Sequence, residues 1–137
     1  MRIALRAIGI IAALSVIATV IFLIGFIRPG LRALLATGAF GYLTIIGWIV
    51  TFVAGPIATV QLFRLRASGL RWGAVLFGYM LVYYIAGILF FRAPGVAAAP
   101  LVVLCVILAA LVAVLLSPPA KNACLIARVT RKLTGAA

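Results

Sequence analysis

The chain contains no aspartate, no glutamate and no histidine. Without carboxylates or imidazoles it has no acid–base pair, no Ser-His-Asp triad, no histidine metal site and no histidine-ligated haem. The long apolar runs also carry no charged side chain in their interiors, whereas proton-driven transport ordinarily places ionisable groups there. Cysteine is scarce too. Cys105 falls in an apolar run and Cys124 in the basic tail, an arrangement that speaks against a disulfide between them. Two thiols alone make a poor zinc site, so both read as small buried apolar side chains. The two lysines, Lys121 and Lys132, are both in the tail, which argues against an activated lysine within a span. These absences point away from catalysis, and no cofactor or metal is expected.

What is present is apolar and basic. Of the 137 residues 69% are hydrophobic, and the mean hydropathy is +1.44. A soluble domain of this length has too little interior to hide so much apolar surface, so the expected solvent is lipid. The sequence predicts an all-α membrane protein in one domain, residues 1–137. Four transmembrane helices run up and down in an antiparallel bundle, over about 7–27, 41–63, 72–91 and 97–116. Each is long enough to cross the hydrocarbon core and must satisfy its backbone internally, hence helical. Arg28-Pro29-Gly30 is expected to end the first span, with a short interfacial helix over Leu31–Leu35 in the loop that follows. Arg2 and Arg6 before an apolar run resemble a signal peptide, and Val16-Ile17-Ala18 resembles a cleavage site. The run continues from Thr19 to Ile27, however, so a retained anchor is expected.

Twelve Lys and Arg face no opposite charge in the chain. In a four-span topology the N-terminus, the middle loop and the tail share one side and carry nine of them, while Arg28, Arg32 and Arg92 lie opposite. The positive-inside rule then places both termini in the cytoplasm, with the bacterial inner membrane the expected location. The pI near 11.7 invites a nucleic-acid reading, but the cations are cut into small groups by the spans and nucleic acid is not an expected partner. Arg64, Arg66 and Arg71 in the middle loop, with Lys121, Arg128, Arg131 and Lys132 in the tail, are expected to contact anionic lipid headgroups or acidic partner surfaces. Within the middle loop, Ser68 and Gly69 supply turn chemistry.

The second span carries Gly47, Thr51, Gly55 and Thr59 at spacings of four, and Thr44 falls within the same arc. Such a face lets another helix approach closely, or lines a narrow cavity. Pro56 removes a donor to the Phe52 carbonyl and is expected to kink the span. On the third span Trp72, Tyr79, Tyr83 and Phe90 form a stripe. Trp72 and Phe90 are placed near the two interfaces, while Tyr79 and Tyr83 are deeper and need partners. The simplest arrangement packs this stripe into the Gly/Thr face, each tyrosine bonding a threonine hydroxyl or a carbonyl freed by Pro56.

In the tail, residues 117–137, Ser117 suits an N-cap and Pro118 the first helical position. Leu125, Ile126, Val129 and Leu133 then share one arc of a helix and the four tail cations another. This predicts a short basic amphipathic helix on the inner leaflet.

Small multidrug transporters have a similar size and span number, yet their membrane glutamate has no counterpart here. Fluoride channels match in length, but their signature segments are missing. The segment from Leu62 to Arg71 resembles the basic hairpin of many small bacterial membrane proteins, a likeness that covers only a turn. The function expected is therefore a non-catalytic membrane subunit or scaffold, packed in a larger membrane complex or a homo-oligomer and touching anionic lipid. The alternatives are a small oligomeric transporter or channel for an anion or lipid headgroup, or a holin-like pore former.

Overall fold

The computed structural model describes the backbone of residues 1–90 and 98–135, and side chains for 1–25, 36–90 and 99–135. Among the described residues five helices follow one another: α1 (Arg2–Ala36), α2 (Ala39–Phe63), α3 (Ala67–Phe90), α4 (Ala98–Leu116) and α5 (Pro118–Leu133). Four of them are long and apolar enough to cross a membrane, and consecutive spans pack on one another. The α2–α3 contact is the most extensive, α1 lies on α2, and α4 lies on α3. Helix α5 lies across the end that carries the N-terminus, touching α1, α3 and α4.

Several boundaries differ from expectation. Arg28-Pro29-Gly30 does not end the first helix, whose backbone continues to Ala36. A proline at 29 removes one bond, to the carbonyl of Gly25, and Gly25 is exposed, with nothing within 4 Å of where a Cβ would stand. One lost bond at an open site does not stop a helix that lipid would otherwise leave unbonded. The expected interfacial helix is thus merged into α1. The side chains of Arg28 and Arg32, and all of Arg92, lie outside the described residues.

Ser68 and Gly69 are not the turn between α2 and α3. The turn is Arg64–Leu65–Arg66, closed by Leu65 N–H to the Leu62 carbonyl at 3.0 Å and Arg66 N–H to the Gln61 carbonyl at 2.9 Å. This is a Schellman pattern, in which the penultimate position adopts a left-handed conformation. Leucine fills it here, with φ 49°, a conformation that costs an L-residue about 1–2 kcal/mol. Leu65 is buried, and burying a leucine offsets a cost of that size. Gly69 instead lies in the first turns of α3, where a Cβ would meet the Leu62 backbone nitrogen at 2.7 Å. Its role is close approach between the two helices just past the turn.

The buried apolar side chains concentrate toward the end that holds the termini. Leu5, Ile8 and Ala12 of α1 meet Ala58 and Leu62 of α2, Leu76 and Phe77 of α3, and Leu115 of α4 in one core. Toward the far end the buried positions of α2 are instead Gly41, Thr44 and Thr51. Helix α1 shows the same gradient, since beyond Ala12 its described residues are exposed or half-buried.

Candidate functional site

Two places bring the expected residues together. The first is the contact between α2 and α3. Gly47 lacks the Cβ that would stand 3.0 Å from the Tyr79 ring, so the ring reaches the backbone of α2. Its hydroxyl donates to the Leu43 carbonyl at 2.5 Å. That carbonyl lies one turn before Gly47, where the missing side chain leaves it accessible. Next to Leu43, Thr44 donates to the Phe40 carbonyl at 2.9 Å. With its only proton spent, Thr44 accepts from the Tyr83 hydroxyl at 3.1 Å. Tyr83 also stacks on Phe40, with ring centroids 5.3 Å apart. The packing of tyrosines into the small-residue face is therefore present, through a threonine hydroxyl for Tyr83 and a carbonyl for Tyr79.

Three details depart from expectation. The carbonyl that Pro56 frees is not the one used: Pro56 is exposed and α2 continues through it to Phe63. Gly55 does not face α3 at all, because a Cβ there would clash with Cγ2 of Val16 on α1. Thr51 and Thr59 bond back to the carbonyls of Gly47 and Gly55 at 2.8 and 2.9 Å, which satisfies them within α2. The small-residue stripe thus serves two neighbours, α3 at Thr44 and Gly47 and α1 at Gly55. Trp72 and Phe90, at the ends of the aromatic stripe, are exposed.

Packing does not fill this region completely. A cavity of about 580 Å³ remains between α1, α2 and α3, walled by Thr19 and Phe22, by Trp48 and Thr51, and by Tyr79 and Tyr83. Tyrosines occupy part of the Gly/Thr face, and beside them it borders a cavity.

The second place is the end that carries the termini. A pocket of about 540 Å³ is lined by Arg2 and Arg6 of α1, Arg64 and Arg66 of the turn, and Arg131 of α5. Phe63, Leu65 and Ala127 supply its apolar lining. The Arg131 guanidinium donates to the Arg64 carbonyl, so one cation is held in place by the turn it faces. Beyond Leu65 a second cleft of about 400 Å³ is lined by Arg66 and Arg131 again, with Lys121 and Arg128. Arg71 and Lys132 are exposed and line neither cleft. The sequence separates these cations by whole spans; the packing of α1 on α2 brings Arg2 and Arg6 to the turn, and the return of α5 beneath the hairpin adds its own cations. Arg2 and Arg6 are the residues that sequence reasoning missed. Their spacing of four, which puts both on one helix face, is the signal that marks them.

Helix α5 itself is arranged differently from a simple two-faced helix. Ser117 stands at the N-cap position before Pro118, but its hydroxyl bonds the Val114 carbonyl at 2.6 Å instead of capping α5. The face against the bundle is built from small residues, Ala120, Ala123 and Cys124, all buried. Leu125, Ile126, Val129 and Leu133 are at least half exposed, and on a helical wheel their arc is centred nearly opposite the small one. Lys121, Arg128 and Lys132 occupy the arc between, while Arg131 falls within the small-residue arc, toward the bundle.

Among the described residues no group of His, Cys, Asp or Glu could hold a metal ion. No known protein family, no curated protein and no solved structure matches the chain.

Proposed function

We propose that the protein is a non-catalytic membrane subunit or scaffold whose spans pack against a partner complex or further copies of itself, with its basic end at the anionic inner leaflet. The observation that carries the reading is the outward face of α5. Four large aliphatic side chains stand exposed on the side away from the bundle, beside Lys121, Arg128 and Lys132. A helix with such a face is covered by lipid or by another protein. The cover must supply negative charge, because this chain has no acidic residue. The spans add to the reading with broad exposed aliphatic faces, including Ile10, Leu14, Ile17 and Ile21 on α1 and Val102, Val103 and Val106 on α4.

The test is extraction at native abundance in a mild non-ionic detergent, followed by native electrophoresis. The wild-type chain is expected in a larger assembly with bound anionic lipid. The double variant Leu125→Ser/Val129→Ser, altered only at exposed positions, is expected to leave that assembly while remaining helical. A wild-type chain that runs as a lipid-free monomer would overturn the proposal.

A second reading, a small oligomeric transporter or channel for an anion or lipid headgroup, is favoured by the cavity between α1, α2 and α3. Reconstituted liposomes test it. Solute flux that falls when Ala18, on the cavity wall, is replaced by Phe would support it; no flux across a panel of anions and lipids would reject it.

A further inference from the structure

We infer that the arginine pocket at the basic end is a binding site for a ligand bearing two phosphate groups, presented by a lipid headgroup. This rests on the orientation proposed above and adds the identity of the ligand. Five arginines from three separate elements line one pocket of about 540 Å³, and the chain has no carboxylate to neutralise any of them. Gathering five like charges is unfavourable unless an anion shares the space. A single phosphodiester sets one negative charge against five arginines, and a headgroup with two phosphates sets two.

The geometry divides the donors into two groups. Arg2 and Arg6 are one turn apart on α1, while Arg64, Arg66 and Arg131 cluster about the turn. Arginine binds phosphate through a planar fork of two parallel N–H donors, so each group suits one phosphate. Arg131 is half-buried and tied to the Arg64 carbonyl, which orders part of the turn-side group before any ligand arrives. The hydroxyls of Thr130 and Thr134, also on the pocket wall, donate to the carbonyls of Ile126 and Thr130 at 3.0 Å each. The arginines therefore supply the donors.

The apolar surroundings select a lipid over a free diphosphate. Phe63 lines the pocket and is 43% exposed. Val60, one turn up α2, and Ile3 and Ile10 of α1 are exposed as well. Acyl chains leaving the pocket would follow this surface along the spans, a contact that a soluble anion lacks. Basic pockets at the inner face of membrane helices suit headgroups for this combination of charge and chain.

The experiment uses the full chain in neutral detergent and native mass spectrometry with added cardiolipin, phosphatidylglycerol, phosphatidylcholine, sodium pyrophosphate or an octa-glutamate peptide. Anionic ligands are compared at equal total charge. Cardiolipin, with two phosphates, is expected to bind one per chain and about tenfold more tightly than phosphatidylglycerol. Arg2→Gln/Arg6→Gln, at exposed positions, is expected to abolish that preference while leaving weak binding of single-phosphate lipid. Arg71→Gln, outside the pocket, is expected to change affinity less than about twofold. Equal binding of the two lipids per charge would overturn the inference yet leave the anionic-leaflet reading intact. Stronger binding of pyrophosphate would assign the site to a soluble anion, and stronger binding of the peptide to an acidic partner; either result overturns the lipid assignment. Insensitivity to the Arg2/Arg6 replacement would also overturn it. Absence of binding by every anionic lipid would remove the broader reading as well.

Discussion

Gly47 and Gly55 sit eight residues apart on one stripe, yet each is small for a different neighbour. At Gly47 the missing Cβ admits the Tyr79 ring, and at Gly55 it admits Val16. In lipid, helices gain little from apolar burial against one another, so such close fits carry the association. Gly55→Ala is expected to destabilise the fold by about 1–3 kcal/mol through overpacking. Adding Val16→Ala is expected to recover most of that loss, because the clash is with Cγ2 of that side chain. Thermal unfolding of the two single variants and the pair in detergent measures the coupling; strictly additive effects would refute this contact. Gln61 offers the opposite case. Its buried Oε1 has no hydrogen-bond partner among the described residues, a cost of about 1–3 kcal/mol. Gln61→Met keeps the length and removes the orphan, so the same assay is expected to show a gain in stability of about 1 kcal/mol.

The pairing of Tyr79 and Tyr83 with the small face is legible at this scale, since helical spacing fixes which residues share an arc. The partner of Gly55 is not, because a stripe of small residues does not say which neighbouring helix fills which part of it. Pro56 draws attention away from Leu43 and Thr44 for a related reason. A proline announces a freed carbonyl, but a glycine one turn ahead exposes a carbonyl just as well, and that is the one Tyr79 reaches.

Among the elements, α5 differs most from its reading in sequence. Its cations and aliphatic residues are legible as two arcs, while the alanine face opposite the aliphatic one carries no evident signal. Small residues pack closely against a bundle end, and this leaves the larger side chains outside. Cys124 belongs to the packed face and is 3% exposed. Burial pushes its thiol above the ordinary value of 9.0. The folded state therefore holds the proton more tightly than the unfolded one. The stability this contributes is full below the ordinary thiol range and is lost as pH rises through and beyond it. Maleimide labelling of Cys124 at neutral pH is expected to be much slower than that of an exposed thiol, because the thiolate is the reactive form. It should accelerate when Ala123→Leu lifts α5 from the bundle. Rapid labelling of the wild type would mean that α5 is not docked. The turn before α3 shows a similar limit of sequence reading. Ser68-Gly69 has turn composition, but the left-handed position falls to Leu65, whose burial beside α5 compensates a conformation that leucine disfavours.

For the molecule as a whole, charge is sorted by topology more than by local pattern. The sequence scatters arginines among the N-terminus, the middle turn and the tail, and four consecutive spans return those three regions to one end. The number of spans and the all-helical architecture can be read from apolar run lengths alone, because lipid leaves the backbone few other solutions. The convergence of Arg2, Arg6, Arg64, Arg66 and Arg131 cannot, because it depends on α5 folding back beneath the hairpin. That convergence and the exposed face of α5 make the basic end the working surface in the function proposed above, while the spans hold it at the leaflet.

Hydrogen–deuterium exchange of the full chain in nanodiscs tests this most directly, comparing pure phosphatidylcholine with a mixture containing an anionic lipid. The expected result is slower exchange confined to the start of α1, the Arg64–Arg66 turn and α5 when anionic lipid is present, reversed by high salt. Identical exchange at that end in both nanodiscs, or protection at the opposite end instead, would contradict a working surface at the basic end.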